Sequence, residues 1–81
     1  MYTVYVLMDE NGHLYKGMTN NIHRRLAEHK SGKTKTTARM SGLRLVYSER
    51  FPFFEDARNR EVYFKTAAGR RFIKERLNKG G

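Results

Sequence analysis

The stretch Leu14-Tyr15-Lys16-Gly17-Met18-Thr19-Asn20-Asn21-Ile22-His23-Arg24-Arg25-Leu26-Ala27-Glu28-His29 changes its periodicity once, and that change decides the fold. Residues His13 to Met18 read as an extended strand. Between Thr19 and Gly32 the spacing turns helical. Thr19 or Asn20 can cap the start, Ile22 and Leu26 form a one-sided apolar stripe, and Gly32 ends the helix. This helix carries a dense basic face. Upstream, Tyr2 to Met8 alternates through β-branched and aromatic residues, and Asp9-Glu10-Asn11-Gly12 carries the Asn-Gly signal of a tight hairpin. Two strands are therefore expected to pair before the helix begins.

Downstream, Gly32 to Gly42 is built of Lys, Thr, Arg and Ser with little that is apolar except Met40, and reads as a flexible basic loop. Leu43 to Phe51 resumes alternation, with Leu43, Leu45 and Tyr47 expected on one side, until Pro52 stops it. Phe53 to Thr66 reads as a second helix with Glu55 and Asp56 in its first turn, where negative charge suits the helix dipole. A third runs from about Ala68 to Leu77 and buries Phe72, Ile73 and Leu77, leaving Gly80 and Gly81 as an expected frayed end. The order strand, strand, helix, strand, helix, helix predicts an α+β fold, a small three-stranded antiparallel sheet flanked by three helices. One domain spanning residues 1–81 is expected.

The chain has 81 residues, with 17 Lys and Arg against 8 Asp and Glu, a formal net charge of +9. That exceeds the roughly 2–8 charges that solubility asks of a small domain. It favours a polyanionic partner through counterion release, with nucleic acid the leading candidate. Cysteine is absent, which excludes disulfides, thiolate metal sites and cysteine nucleophiles together. No apolar run approaches the roughly 20 residues of a membrane span, and Met1-Tyr2-Thr3-Val4-Tyr5 does not resemble a signal peptide. A cytoplasmic monomer with no membrane partner is the simplest expectation. A chain this short buries only about 60% of its unfolded surface, so any site is expected to be a shallow surface feature.

Five residues stand out as candidates for chemistry. The hairpin can bring the phenols of Tyr5 and Tyr15 together on one face of the sheet. Arg25 and His29 stand at i and i+4 on the first helix and project from one side. Glu61 falls in the stripe Phe54, Ala57, Glu61 and Lys65, where an apolar residue is expected, so a carboxylate is held toward the body of the protein. An unpaired buried carboxylate is costly; a bound cation, Lys65 at i+4 or Arg58 at i−3 would offset it. Tyr5 and Tyr15 can equally be packing tyrosines of a half-buried sheet, and His29 a helix-end residue stabilised by the dipole. His13 and His23 read as surface residues.

In these elements the sequence resembles the GIY-YIG endonuclease superfamily, and within it the small single-domain members of the YhbQ type. Thr3-Val4-Tyr5 stands at the first tripeptide of the family's name and Tyr15-Lys16-Gly17 at the second. Leu14 to His29 looks like the family's strand-to-helix signature. Gly32-Lys33, Leu45-Val46-Tyr47-Ser48-Glu49 and Ala57-Arg58-Asn59-Arg60-Glu61 follow in matching order. Thr3, Val4 and Lys16 depart from the name at positions that supply no catalytic side chain. Neither Asn59 nor Asn78 matches the C-terminal Asn that some larger members use.

The resemblance implies a metal-dependent endonuclease of DNA with little intrinsic sequence specificity. Tyr5, Tyr15, Arg25, His29 and Glu61 would form the catalytic set, and Glu61 would hold one Mg²⁺ or Mn²⁺, a hard cation suited to carboxylate oxygen. Tyr5 is the expected general base with Tyr15 assisting. Because a free phenol has a pKa of about 10, this role requires neighbouring positive charge to depress it. Arg25 would bind the scissile phosphate through paired donors. Lys16, Thr19, Arg24, Lys33, Lys35, Arg39 and Lys65 are the expected nucleic-acid contacts, with DNA favoured over RNA, and Thr19 can cap the helix, orient a phosphate, or both. Specificity is expected to be weak, to come from a protein partner, or to be replaced by recognition of DNA structure. The alternative is a binding module for DNA or RNA that keeps the fold without cutting.

Overall fold

A computed structural model describes residues 1–79. Strands β1 (Tyr2–Met8) and β2 (Leu14–Thr19) are followed by helix α1 (Ile22–Lys30), strand β3 (Arg44–Phe51) and helices α2 (Phe54–Phe64) and α3 (Ala67–Lys79). The element order is the one expected. The expected frayed end at Gly80 and Gly81 lies outside the described residues.

The sheet has the order β2-β1-β3 and both ladders are antiparallel. As the central strand, β1 is covered on both faces, and every residue from Thr3 to Leu7 is buried. Successive side chains of a strand point to opposite faces. Val4 and Val6 pack with Ala57, Phe64 and Ile73 of α2 and α3 to form the core, while Tyr5 meets α1 on the other face through His29. The sheet thus separates an apolar core from a polar site, and the hydroxyl-bearing side of β1 belongs to the site.

Four local expectations need correction. The Asn-Gly signal does not close a two-residue hairpin. Asp9 N–H bonds the carbonyl of His13 at 3.0 Å, and the buried Asp9 carboxylate accepts His13 N–H at 2.7 Å, so the turn runs from Asp9 to His13 and β2 begins at Leu14. Helix α1 is capped by Asn21, whose Oδ1 accepts Arg24 N–H at 3.0 Å, and not by Thr19 or Asn20. Thr19 instead accepts Asn21 N–H at 3.1 Å and shapes the entry to the cap.

In β3, Val6 pairs with Tyr47 and Leu7 with Leu45, so Val46 is an inserted residue. This bulge turns Leu45 to the face opposite Tyr47 and leaves it 41% exposed. In α2 the expected stripe fails at both ends, because Phe54 is 47% exposed and Lys65 is 59% exposed. The buried residues are Ala57 and Phe64, with the half-buried Arg60 between them. The guanidinium of Arg60 lies 4.7–5.0 Å from the ring centres of Tyr63, Phe64 and Phe72, and its Nε and Nη2 each bond Glu49 of β3 at 3.0 Å. Tyr47 donates to the same carboxylate. A forked, half-buried pair of this kind fixes direction as well as distance, so α2 is held against β3 and the next residue, Glu61, is placed with it.

Candidate active site

Tyr5 anchors the site. Its ring is 1% exposed, and its partner across the β1–β2 ladder is Gly17. A Cβ at residue 17 would lie 2.6 Å from Tyr5 Oη and 3.1 Å from the Tyr15 ring. Only glycine leaves room for the phenol there, which explains the small residue in a strand that otherwise favours bulk. Tyr15 sits beside Tyr5 with ring centres 6.2 Å apart, and both rings meet the His29 imidazole edge to face, at 5.8 Å from Tyr5 and 5.0 Å from Tyr15.

Helix α1 brings Arg25 and His29 to the two phenols from one side. Gly32 ends the helix at φ +77°, where Gly32 N–H bonds the carbonyl of His29 at 3.2 Å and Lys33 N–H that of Glu28 at 3.0 Å. His29 therefore occupies the last turn with its ring directed inward, and it is 2% exposed. Its Nε2 lies 2.9 Å from Tyr5 Oη and its Nδ1 lies 2.7 Å from Thr37 Oγ1. Arg25 Nε donates to Tyr5 Oη at 3.4 Å, and Arg25 Nη1 pairs with Glu28 at 3.0 Å.

These contacts allow one proton arrangement in which Tyr5 Oη accepts from Arg25 and donates to His29 Nε2, while His29 Nδ1–H donates to Thr37 Oγ1. Burial, helped by the charge of Arg25, holds the His29 pKa below its usual value and keeps the ring neutral at pH 7. Burial also raises the Tyr5 pKa, outweighing the hydrogen bond and charge of Arg25 that oppose it. The expected depression of this phenol by neighbouring positive charge is therefore not found. Desolvation of a nearly enclosed ring wins, and the charge of Glu61 adds to the rise. Arg25 is held firmly protonated by the Tyr5 oxygen and then by Glu28.

A match to the model of the GIY-YIG catalytic domain covers residues 1–78. The chain belongs to the GIY-YIG family. A UPF0213 protein of Bacillus licheniformis is 39% identical over 80 residues, covering 94% of this chain and 82% of the relative. One from Natronomonas pharaonis is 41% identical over 75 residues, 91% of this chain and 86% of its own length. The solution NMR structure of a UPF0213 protein from Bacillus halodurans superimposes with a TM-score of 0.60 at 35% identity, covering all of this chain and 88% of that one. The GIY-YIG family is one of nucleases, and the fold is shared with the Bacillus halodurans relative.

Within this GIY-YIG domain the structure brings Tyr5, Tyr15, Arg25 and His29 into one cluster. Glu61, 23% exposed in its side chain, stands at the margin and pairs with Lys65 at 3.8 Å. Among the expected nucleic-acid contacts, Arg24 is exposed and donates to Asn20 at 3.4 Å, and unlike Arg25 it makes no contact with Tyr5. Lys33, Lys35 and Arg39 are exposed on the loop after α1. That loop is not simply flexible, because Thr37 within it is 1% exposed and bonded to His29. Lys16 stands apart from the site: it pairs across the ladder with Val6 and so belongs to the face of α2 and α3.

Thr37 and Gly17 are the residues of this cluster that sequence reasoning does not single out. Thr37 sits in a run of polar residues with no periodicity to mark it. Gly17 was read only as a letter of a motif, although a glycine flanked by strand formers signals close approach of another group.

Proposed function

We propose that this chain is a divalent-metal-dependent endonuclease acting on DNA with little sequence specificity of its own. One observation carries the proposal: the linked contacts from Arg25 to Tyr5 to His29 to Thr37, with Gly17 leaving space for the phenol. Phosphodiester hydrolysis needs a base for water, positive charge beside the phosphoryl oxygens and stabilisation of the leaving alkoxide. Tyr5 takes the proton from water and passes its own to the neutral Nε2 of His29. The phenol therefore acts as a relay and need not ionise beforehand, which suits its raised pKa. Thr37 accepts the Nδ1 proton and holds His29 in the tautomer that can receive. Tyr15 packs against both rings and orients them. Arg25 supplies fixed positive charge beside the phenol oxygen, toward the position of the scissile phosphate.

The donor set fits a hard divalent ion. Among the described residues no group of three His, Asp or Glu forms an all-protein cage, and the carboxylate of Glu61 is engaged only by Lys65 at 3.8 Å. One carboxylate, water and substrate oxygens make up the usual surroundings of Mg²⁺ at a phosphate. Glu61 would hold the ion, which when bound supplies charge neutralisation at the phosphate and at the leaving oxygen.

The deciding experiment is plasmid nicking in Mg²⁺ and in Mn²⁺ with Glu61→Gln as control. The native protein cuts, and the variant loses at least about 100-fold in rate with little change in DNA affinity. Full activity in Glu61→Gln sinks the metal assignment. A nucleic-acid-binding module that does not cut is the second reading, favoured by the occupied state of Arg25 and Glu61, each already paired with a side chain of its own helix. Tight DNA binding without nicking in either metal selects it.

A further inference from the structure

Behind the edge strand, on the face away from Tyr5, lies a cavity of about 300 Å³ lined by Leu14, Lys16, Ala67, Arg70, Arg71 and Lys74. Four of the six lining residues are cations and none is acidic. Among the described residues none of these four takes part in an ion pair. Leu14 and Ala67 are the apolar residues of the lining. Lys16 is half-buried in this lining, and burial together with the charges of Arg70 and Lys65 lowers its pKa. Like charges gathered in this way repel one another, and an anion seated among them relieves that repulsion.

We infer that this cavity seats a backbone phosphate of the nucleic acid, at a point remote from the phosphate addressed by Tyr5. The inference rests on the nucleic-acid half of the proposed function and is independent of cleavage. Placement identifies the occupant. β2 is an edge strand whose alternate residues serve the two faces: Tyr15 and Gly17 line the site, and Lys16 lines the cavity. The exposed cations Lys33, Lys35 and Arg39 lie on the loop whose Thr37 is bonded to His29, on the site side of the sheet. Basic groups thus stand on both faces around one edge. A polymer that passes around that edge engages both sets, whereas a planar anionic membrane meets only one.

The test uses the whole chain and a labelled duplex oligonucleotide in EDTA, with binding followed by fluorescence anisotropy across a salt series. Arg71 and Lys74 are exposed, so Arg71→Gln/Lys74→Gln should melt like the native protein. Loss of the one phosphate contact lowers the slope of log K against log salt by about 0.9. With the 1 M value unchanged, affinity at 0.1 M then falls by roughly 8-fold. A second measurement needs no variant: inorganic phosphate titrated into ¹⁵N-labelled native protein shifts the amides of Lys16, Arg70, Arg71 and Lys74. An unchanged slope in the double variant overturns the inference while leaving the nucleic-acid reading intact, as do amides that ignore phosphate. A native protein without salt-dependent DNA binding removes both. A variant that keeps its DNA slope but no longer binds phosphatidylserine vesicles assigns the cavity to a membrane surface, and also overturns the inference.

Discussion

Replacing Gly17 by alanine tests the close approach on which the site depends. The added Cβ would stand 2.6 Å from Tyr5 Oη and 2.7 Å from its Cζ, against an ordinary contact of 3.4 Å or more. The phenol or the strand must give by about 0.8 Å to restore such a contact. A shift of that amount takes the hydroxyl out of its 2.9 Å geometry with His29 Nε2. Overpacking of this size costs about 1–3 kcal/mol. At roughly 4–8 °C per kcal/mol for a chain this small, the melting temperature should fall by at least about 4 °C. Displacement of a reacting group by nearly 1 Å should lower cleavage by about 100-fold. Melting by circular dichroism, the ¹⁵N shifts of the His29 ring and initial nicking rates read the three effects separately. Native melting together with unchanged His29 shifts refutes the close-contact reasoning, whatever the activity proves to be.

Thr37→Val keeps the shape of the side chain but strands the Nδ1 proton of His29, so urea unfolding should show a loss of about 1–3 kcal/mol that Thr37→Ser restores; equal stability of the Val and native forms would falsify the role given to Thr37. The pH profile of cleavage follows His29. With its pKa held below about 6.5, the rate is level above that pH and falls as acid protonates Nε2 and blocks transfer from Tyr5. A rate that instead climbs steadily from pH 7 to about 9 would return the role to a free phenolate with a depressed pKa. Arg25→Ala should abolish turnover with a modest loss of binding, because its contact matters most as charge develops. Arg24→Ala should weaken binding and lower the salt slope by about one phosphate, and like behaviour of the two variants contradicts the division between them. Tyr5→Phe keeps the ring and removes the relay, so it should be more damaging than Tyr15→Phe; the reverse order exchanges their roles.

Much of the fold was legible because local pattern and tertiary environment agree. Apart from Thr3, β1 is apolar or aromatic because it is central, and Gly32 stops α1 because only glycine takes φ +77° without strain. The expectations that failed did so where hydrogen bonding, strand register or packing of the folded chain overrode the local pattern. The Asp9 carboxylate lengthened a turn whose Asn-Gly pair suggested two residues. A bulge at Val46, which no residue type announces, reversed the face of Leu45. On α2 the rings around Arg60 come from α2 and α3 together, so a charged residue is half-buried at a position that periodicity left outside the inward stripe.

The candidate site divides along the same line. Sequence by itself determined that Arg25 and His29 share a helix face, because i to i+4 spacing is local geometry. It also set the net charge of +9, which is a sum over residues and needs no fold. Tertiary structure decided that the Tyr5 pKa rises while that of His29 falls, since desolvation depends on what encloses a group and not on its neighbours in the chain. It decided too that Thr37, eight residues beyond His29, closes the chain of hydrogen bonds, and that Lys16 faces α3 while Tyr15 and Gly17 face the site. Proton direction and the division of basic residues between two faces arise from burial and pleat, which exist only once the strands have paired.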